Sequence, residues 1–384
     1  MKTARILCLD GGGIRGLIPA SILAKLEKQI GPVSTRFHML SGTSTGGIIS
    51  CGLSNPRIAA SKLIEFYKQK GPDIFKSSLG MLEGVAGPVY SAEPLEAAIK
   101  SVLIGNLSSV VANDLLITSY DIEKRAPYIF KSWKAQENGD DDYRLVDVAR
   151  ATSAAPTYFS PAQISSRTNK KIALVDGGVY ANNPAMCAYV AARRLYPFAD
   201  RYLIVSIGTG KLRKPFPYQK ASDWGFVGWA QPLLSMMFDG SSDTIDYQLS
   251  QLAPEVSHFR YQVDLEKAKA SDSMDNVTPE NMDALIKSAD QVDFSNLIDL
   301  LKEPLIDRSK LGYSVKKEIQ APKTFSKPKV HLPAAVAPTN SGIAGAGAGA
   351  LLGTAVGGPI GAAIGAVIGF FGGNQIDSTK KKDQ

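Results

Sequence analysis

Cysteine and histidine are scarce, each occurring three times in 384 residues. Cys8, Cys51 and Cys187 cannot all pair, and each lies in an apolar or small-residue run. Buried free thiols in a reducing compartment are expected, and a disulfide framework is excluded. The histidines, His38, His258 and His331, are scattered and no C-x-x-C occurs, so no zinc-binding spacing exists. Charged residues are few at 21%, but hydrophobic residues reach 44%, which excludes wholesale disorder. A long apolar run is missing from the start as well. In MKTARILCLD the continuous apolar run before Asp10 is four residues long, too short for a classical signal peptide, so a cytoplasmic protein is expected.

Charge is distributed unevenly. Residues 321–384 contain six lysines and two aspartates, leaving +4 of the total +7 on the tail and +3 on the other 320 residues. A basic tail on a near-neutral body suits an anionic surface, with no nucleic-acid polymer expected as partner. From Pro333 to Ile376 there is no charged residue, and glycine stands at every fourth position from 345 to 373. Such a ladder lets another backbone approach closely along one helix side. A spanning helix or short hairpin at the inner face of a membrane, self-association, and a flexible low-complexity tail are all open readings. The expected organisation is a catalytic domain over 1–320, a Pro/Lys linker over 321–340 and a glycine-zipper segment over 341–384.

The body alternates short apolar runs with amphipathic stretches. Ile6–Leu9 reads as a buried strand, followed by a helix over Leu17–Ile30 with Ile18, Ile22, Leu26 and Ile30 at spacing four. Further strands are expected at Phe37–Leu40, Leu115–Ser119, Ile172–Val175 and Tyr202–Ile207. This pattern predicts a three-layer α/β/α fold with a mostly parallel central sheet. Ligands in such folds sit beyond the carboxyl ends of the strands. Three glycine-marked turns are expected there: DGGGIRG at 10–16, GTSTGG at 42–47 and DGG at 176–178.

Gly42-Thr43-Ser44-Thr45-Gly46 is a G-x-S-x-G between a strand and a helix, the pattern of a nucleophile elbow. Gly42 and Gly46 permit the sharp turn, and Ser44 becomes the candidate nucleophile. None of the three histidines has a turn context that would present an imidazole, so a carboxylate acting directly on the serine is the economical base. Asp176, at the end of a strand and before Gly177 and Gly178, is the candidate; an ordinary Asp-Gly turn is the alternative. Consecutive glycines can aim successive N–H groups into one concavity, so Gly11, Gly12 and Gly13 are expected to form an oxyanion hole. Arg15 would hold that loop or meet a phosphate. The same loop also reads as G-x-G-x-x-G, but a dinucleotide site would want an acid near the end of the next strand, and residues 31–41 contain none.

Taken in order, DGGGIRG, GTSTGG, ATSAAPTYFSP at 151–161, DGG, VSIGTG at 205–210 and SSDTIDYQLSQL at 241–252 resemble the patatin-like phospholipases over roughly residues 4–310. The chain resembles a stand-alone bacterial member of that family with a C-terminal glycine-zipper tail. The resemblance implies a Ser-Asp dyad without histidine or metal, no cofactor, and hydrolysis of acyl esters in phospholipids or related lipids. Ser44 would be the nucleophile, Asp176 the base and Gly11–Gly13 the oxyanion donors. Stand-alone bacterial members include antiviral effectors switched on by cyclic nucleotides, so a small-ligand activator stays open. So does a membrane-perturbing role for the ladder. Phe75–Tyr90 and Trp224–Phe238 are candidate rims for lipid entry, or padding at the edge of the core.

Overall fold

The computed structural model describes residues 1–76, 88–212, 215–224 and 226–315, with side chains set aside at 226–228 and 230–235. The expected linker, the glycine ladder, His331 and residues 77–87 of the first rim lie outside the described residues. The chain divides into two compact units, one of residues 1–78, 90–215 and 235–314, the other of 79–89, 216–234 and 315–384.

An eight-stranded sheet organises the first unit. Its strands are β1 (Thr3–Leu9), β2 (Met39–Gly42), β3 (Asp114–Asp121), β4 (Ala126–Lys131), β5 (Ala162–Ser165), β6 (Lys171–Asp176), β7 (Arg201–Ile207) and β8 (Val256–Tyr261). Five strands run parallel in the order β3-β2-β1-β7-β8. β1 is buried from Ala4 to Leu9, as a parallel strand covered on both faces must be. Register brings three carboxyl ends level, since Leu9 pairs with Gly42 on one side and with Ile207 on the other. The loops after β1, β2 and β7 therefore leave the sheet at one place.

Helix α1 (Leu17–Ile30) occupies the expected span and buries Ile18, Ile22, Leu26 and Ile30. Each such side chain contributes about 1.5–3 kcal/mol by leaving water. Gly31 ends the helix at φ 77, which a residue without Cβ adopts cheaply, and Pro32 follows. Helix α2 (Thr45–Ser54) is buried along its whole length, and α3 (Ala60–Ile74) packs on α1. β2 begins two residues later than Phe37 and runs on through Ser41 and Gly42, its ladder against β1 extending from Met39 to Gly42.

One strand departs from the expected direction. β6 runs antiparallel to β3, so Asp176 does not end a strand parallel to its neighbours. β3 carries β4 along one edge. Its other edge carries β2 and β6 in succession: Asp114–Ile117 pair with Met39–Gly42, and Ser119–Asp121 pair with Leu174–Asp176. The carboxyl ends of β2 and β6 thus converge head-on, with Thr118 between them.

In the second unit, the rings of Phe216, Trp224 and Trp229 stack edge to face, with centroids 5.7 and 5.2 Å apart. Among the described residues no helix is long and apolar enough to cross a membrane.

Candidate active site

Ser44 sits where β2 turns into α2. Its backbone has φ 54 and ψ −124, a left-handed geometry that an L-residue adopts only under constraint. Gly42 and Gly46 permit the turn sterically, since a Cβ at Gly42 would collide with the Gly46 carbonyl and one at Gly46 with the Leu9 carbonyl. From Phe37 to Ser54 every residue is buried except Ser44, which is partly exposed. The fold thus lifts one hydroxyl out of an otherwise covered segment, at the positive end of a helix.

Asp176 arrives from the opposite direction at the end of β6. It is 5% exposed. Burial is the main influence on its carboxyl and pushes it up to about 7, while hydrogen bonding with the Ser44 hydroxyl and the Gly178 N–H acts in the other sense. The Gly178 N–H donates to Oδ1 at 2.7 Å. Gly177 lies against Thr118, where a Cβ would collide with the threonine. A serine hydroxyl thereby meets a buried carboxylate tuned to titrate near neutrality, the property a general base requires.

The glycine loop after β1 is held by residues distant in sequence. Asp10 takes a bidentate ion pair from Arg260 on β8, at 3.0 Å and 2.6 Å. Arg260 Nη1 also donates to Ser206 at 2.8 Å, and its Nε lies 3.3 Å from Asp246. The Thr209 hydroxyl donates to the Gly11 carbonyl at 2.7 Å. Within the loop, the Gly11 N–H is engaged by the Asn182 carbonyl at 3.2 Å. That leaves the N–H groups of Gly12 and Gly13 without a partner among the described residues. Gly13 has φ 59, and the Met274 carbonyl, which accepts from Ile14, occupies the space a Cβ would need. Arg15 donates from Nη1 to the Gly210 carbonyl at 3.4 Å, while its buried Nε has no partner among the described residues.

Neither described histidine forms a hydrogen bond with Ser44. His38 is buried, accepts the Arg5 N–H at Nδ1 (2.8 Å) and donates from Nε2 to the Ile306 carbonyl (2.8 Å). Burial holds it down at about 4. His258 lies on β8, pushed down to about 4 by burial and by Arg260.

Several residues of this neighbourhood were not singled out from sequence. Thr152, Thr209 and Asp246 lie inside motif blocks, but nothing local to them signals a role. Arg260 stands two residues after His258 and draws attention only once β8 is placed beside β7.

A family model described as patatin-like phospholipase matches residues 7–189, and one described as glycine zipper matches residues 342–384. Patatin-like protein 2 of Arabidopsis thaliana is 32% identical over 347 residues, spanning 78% of this chain and 83% of its own length. Patatin-like protein 2 of Oryza sativa subsp. japonica is 30% identical over 336 residues, with 75% and 83% covered. Patatin-17 of Solanum cardiophyllum is 29% identical over 359 residues, with 84% and 88% covered. On identity and coverage of this extent, the chain belongs to the patatin-like phospholipase family.

Proposed function

We propose that the protein is a lipid acyl hydrolase that cleaves fatty-acyl esters through Ser44 and Asp176 by way of an acyl-enzyme. Family membership supports the broad activity. The observation that carries the finer reading is the pairing of a strained, partly exposed serine with a buried carboxylate whose ionisation lies near 7.

In this reading Asp176 takes the proton as Ser44 Oγ attacks the ester carbonyl. Negative charge on the carbonyl oxygen develops against the free N–H groups of Gly12 and Gly13, where one donor is worth roughly 3–4 kcal/mol of barrier. The tetrahedral intermediate collapses, the C–O bond breaks, and the lyso-lipid alcohol leaves with the proton held by Asp176. Water then attacks the acyl-enzyme, again giving its proton to Asp176, and the fatty acid is released as Ser44 is regenerated. The proposed partner is a phospholipid membrane, met by the protein at its inner face with the basic tail contributing attraction.

The test is fatty-acid release from mixed phospholipid vesicles by wild type and Ser44→Ala, with vesicle leakage read in the same tube. Release is expected to fall by about 10³-fold or more in the variant. Undiminished release by Ser44→Ala would sink the dyad. A second reading is favoured by the glycine-zipper match, in which the tail itself perturbs membranes. Leakage by both proteins, with fatty acid from neither, would select it.

A further inference from the structure

We propose that Thr152 is a positioning residue whose buried hydroxyl holds the backbone N–H of Ser44 and, with it, the left-handed turn that presents the nucleophile to Asp176. The inference rests on the Ser44–Asp176 reading above.

The geometry of Ser44 is the starting point. A φ of 54 on a residue with a Cβ persists only where the surroundings over-determine it. The Ser44 N–H precedes α2, and a helix offers no internal acceptor to N–H groups at its start. Its acceptor is Thr152 Oγ1, at 2.9 Å. That hydroxyl has one hydrogen, donated to the Thr118 carbonyl at 2.6 Å, so its lone pairs are left for Ser44. The rotamer is wedged as well, because the Thr152 methyl fills space against Gly47 that a Cβ there would contest at 2.7 Å.

Thr152 also connects the two halves of the site. Two residues further on, the Ala154 carbonyl accepts the Asp176 N–H at 3.0 Å. Residues 152–154 therefore grip the backbones of both nucleophile and base. Thr118, the partner of Thr152, stands where the ends of β2 and β6 meet. Its hydroxyl lies 2.6 Å from that of Thr43, which donates to the Ala181 carbonyl at 2.7 Å. Thr43 has no second hydrogen, so Thr118 donates to it. The chain of hydroxyls Thr43–Thr118 and the clamp Thr118–Thr152 join the elbow to β3, the strand against which β6 carries the base. Thr152 is fully buried and makes no hydrogen bond to the Asp176 carboxylate, so it acts on the chemistry through Ser44.

Valine preserves the shape of Thr152 and removes its acceptor, whereas serine keeps the hydroxyl and gives up the methyl. The measurements are the rate of covalent labelling at Ser44 by a fluorophosphonate, kcat and KM on a short-chain soluble ester, and the melting temperature. Thr152→Val is expected to label and turn over roughly ten- to a hundredfold more slowly, with KM little changed. Thr152→Ser should recover most of both rates. The midpoint of the pH–rate curve should stay in place, because the Asp176 carboxyl keeps its surroundings. If the valine variant does not fold, Thr152→Ala in the same assays carries the test. Labelling of a folded valine or alanine variant at the wild-type rate would overturn the proposal and leave the dyad standing. A serine variant as slow as the valine one would also overturn it, assigning the effect to the methyl. A wild type that resists labelling, with Ser44→Ala equally active, would remove the dyad and the positioning role together.

Discussion

At the scale of single residues, the decisive quantity is the proton on Asp176. A carboxyl near its usual value of about 4 is a poor base at neutral pH, and burial lifts this one to about 7. Activity should therefore rise with pH through about 7 as the carboxylate forms. A pH–rate curve flat from 5 to 9, on a substrate whose chemistry limits the rate, would contradict the assignment. The same shift affects stability with a definite sign. Between about pH 4 and 7 the folded protein holds a proton that the unfolded chain releases, so stability falls as pH rises across that window. Asp176→Asn removes the penalty and keeps an oxygen for the Gly178 N–H. This variant should be inactive yet melt higher than wild type, and its advantage should grow from pH 5 to pH 8. The growth is expected to follow about 1.4 kcal/mol per pH unit within the window. Equal melting temperatures at both pH values would mean that Asp176 carries no such burden.

At the scale of elements, the site depends on where strands stop. The level ends of β1, β2 and β7 set the glycine loop, the elbow and the Gly208–Gly210 turn side by side. The reversal of β6 then brings a carboxylate to them from the other side. The glycine loop is further tethered by Arg260, on the outermost parallel strand. Replacing Arg260 with methionine leaves Asp10 buried without its ion pair, a defect worth about 3–5 kcal/mol. Urea unfolding should register that loss. Turnover should fall as well, because the loop bearing Gly12 and Gly13 loses its anchor. A variant that unfolds like wild type would show the pair to be dispensable. Arg260 and Asp10 are 250 positions apart, so no local pattern in the sequence links them.

At the scale of the whole molecule, the body and the tail divide by composition. The last 64 residues carry +4, and their uncharged stretch carries glycine in strict register. The tail is proposed as the membrane-seeking part. Removing residues 333–384 should abolish sedimentation with anionic vesicles and leave hydrolysis of a soluble short-chain ester unchanged. Unaltered sedimentation would place the attraction in the body.

What could be read from the sequence follows from short-range physics. Spacing of apolar residues sets α1 between Leu17 and Ile30, because burying one helical face does not depend on which sheet lies beneath. Glycines around Ser44 mark an elbow, because only small residues allow backbones so close. The absence of a well-presented histidine pointed to a carboxylate, and the ordered motifs carried the family. Tertiary structure decided what depends on register between distant segments. The end of β6 meets the end of β2 only because both pair with one edge of β3. Thr152 reaches the Ser44 N–H across 108 positions, and Gly11 gives its N–H to Asn182. The ionisation of Asp176 near 7 comes from burial, which a sequence expresses only once it has folded.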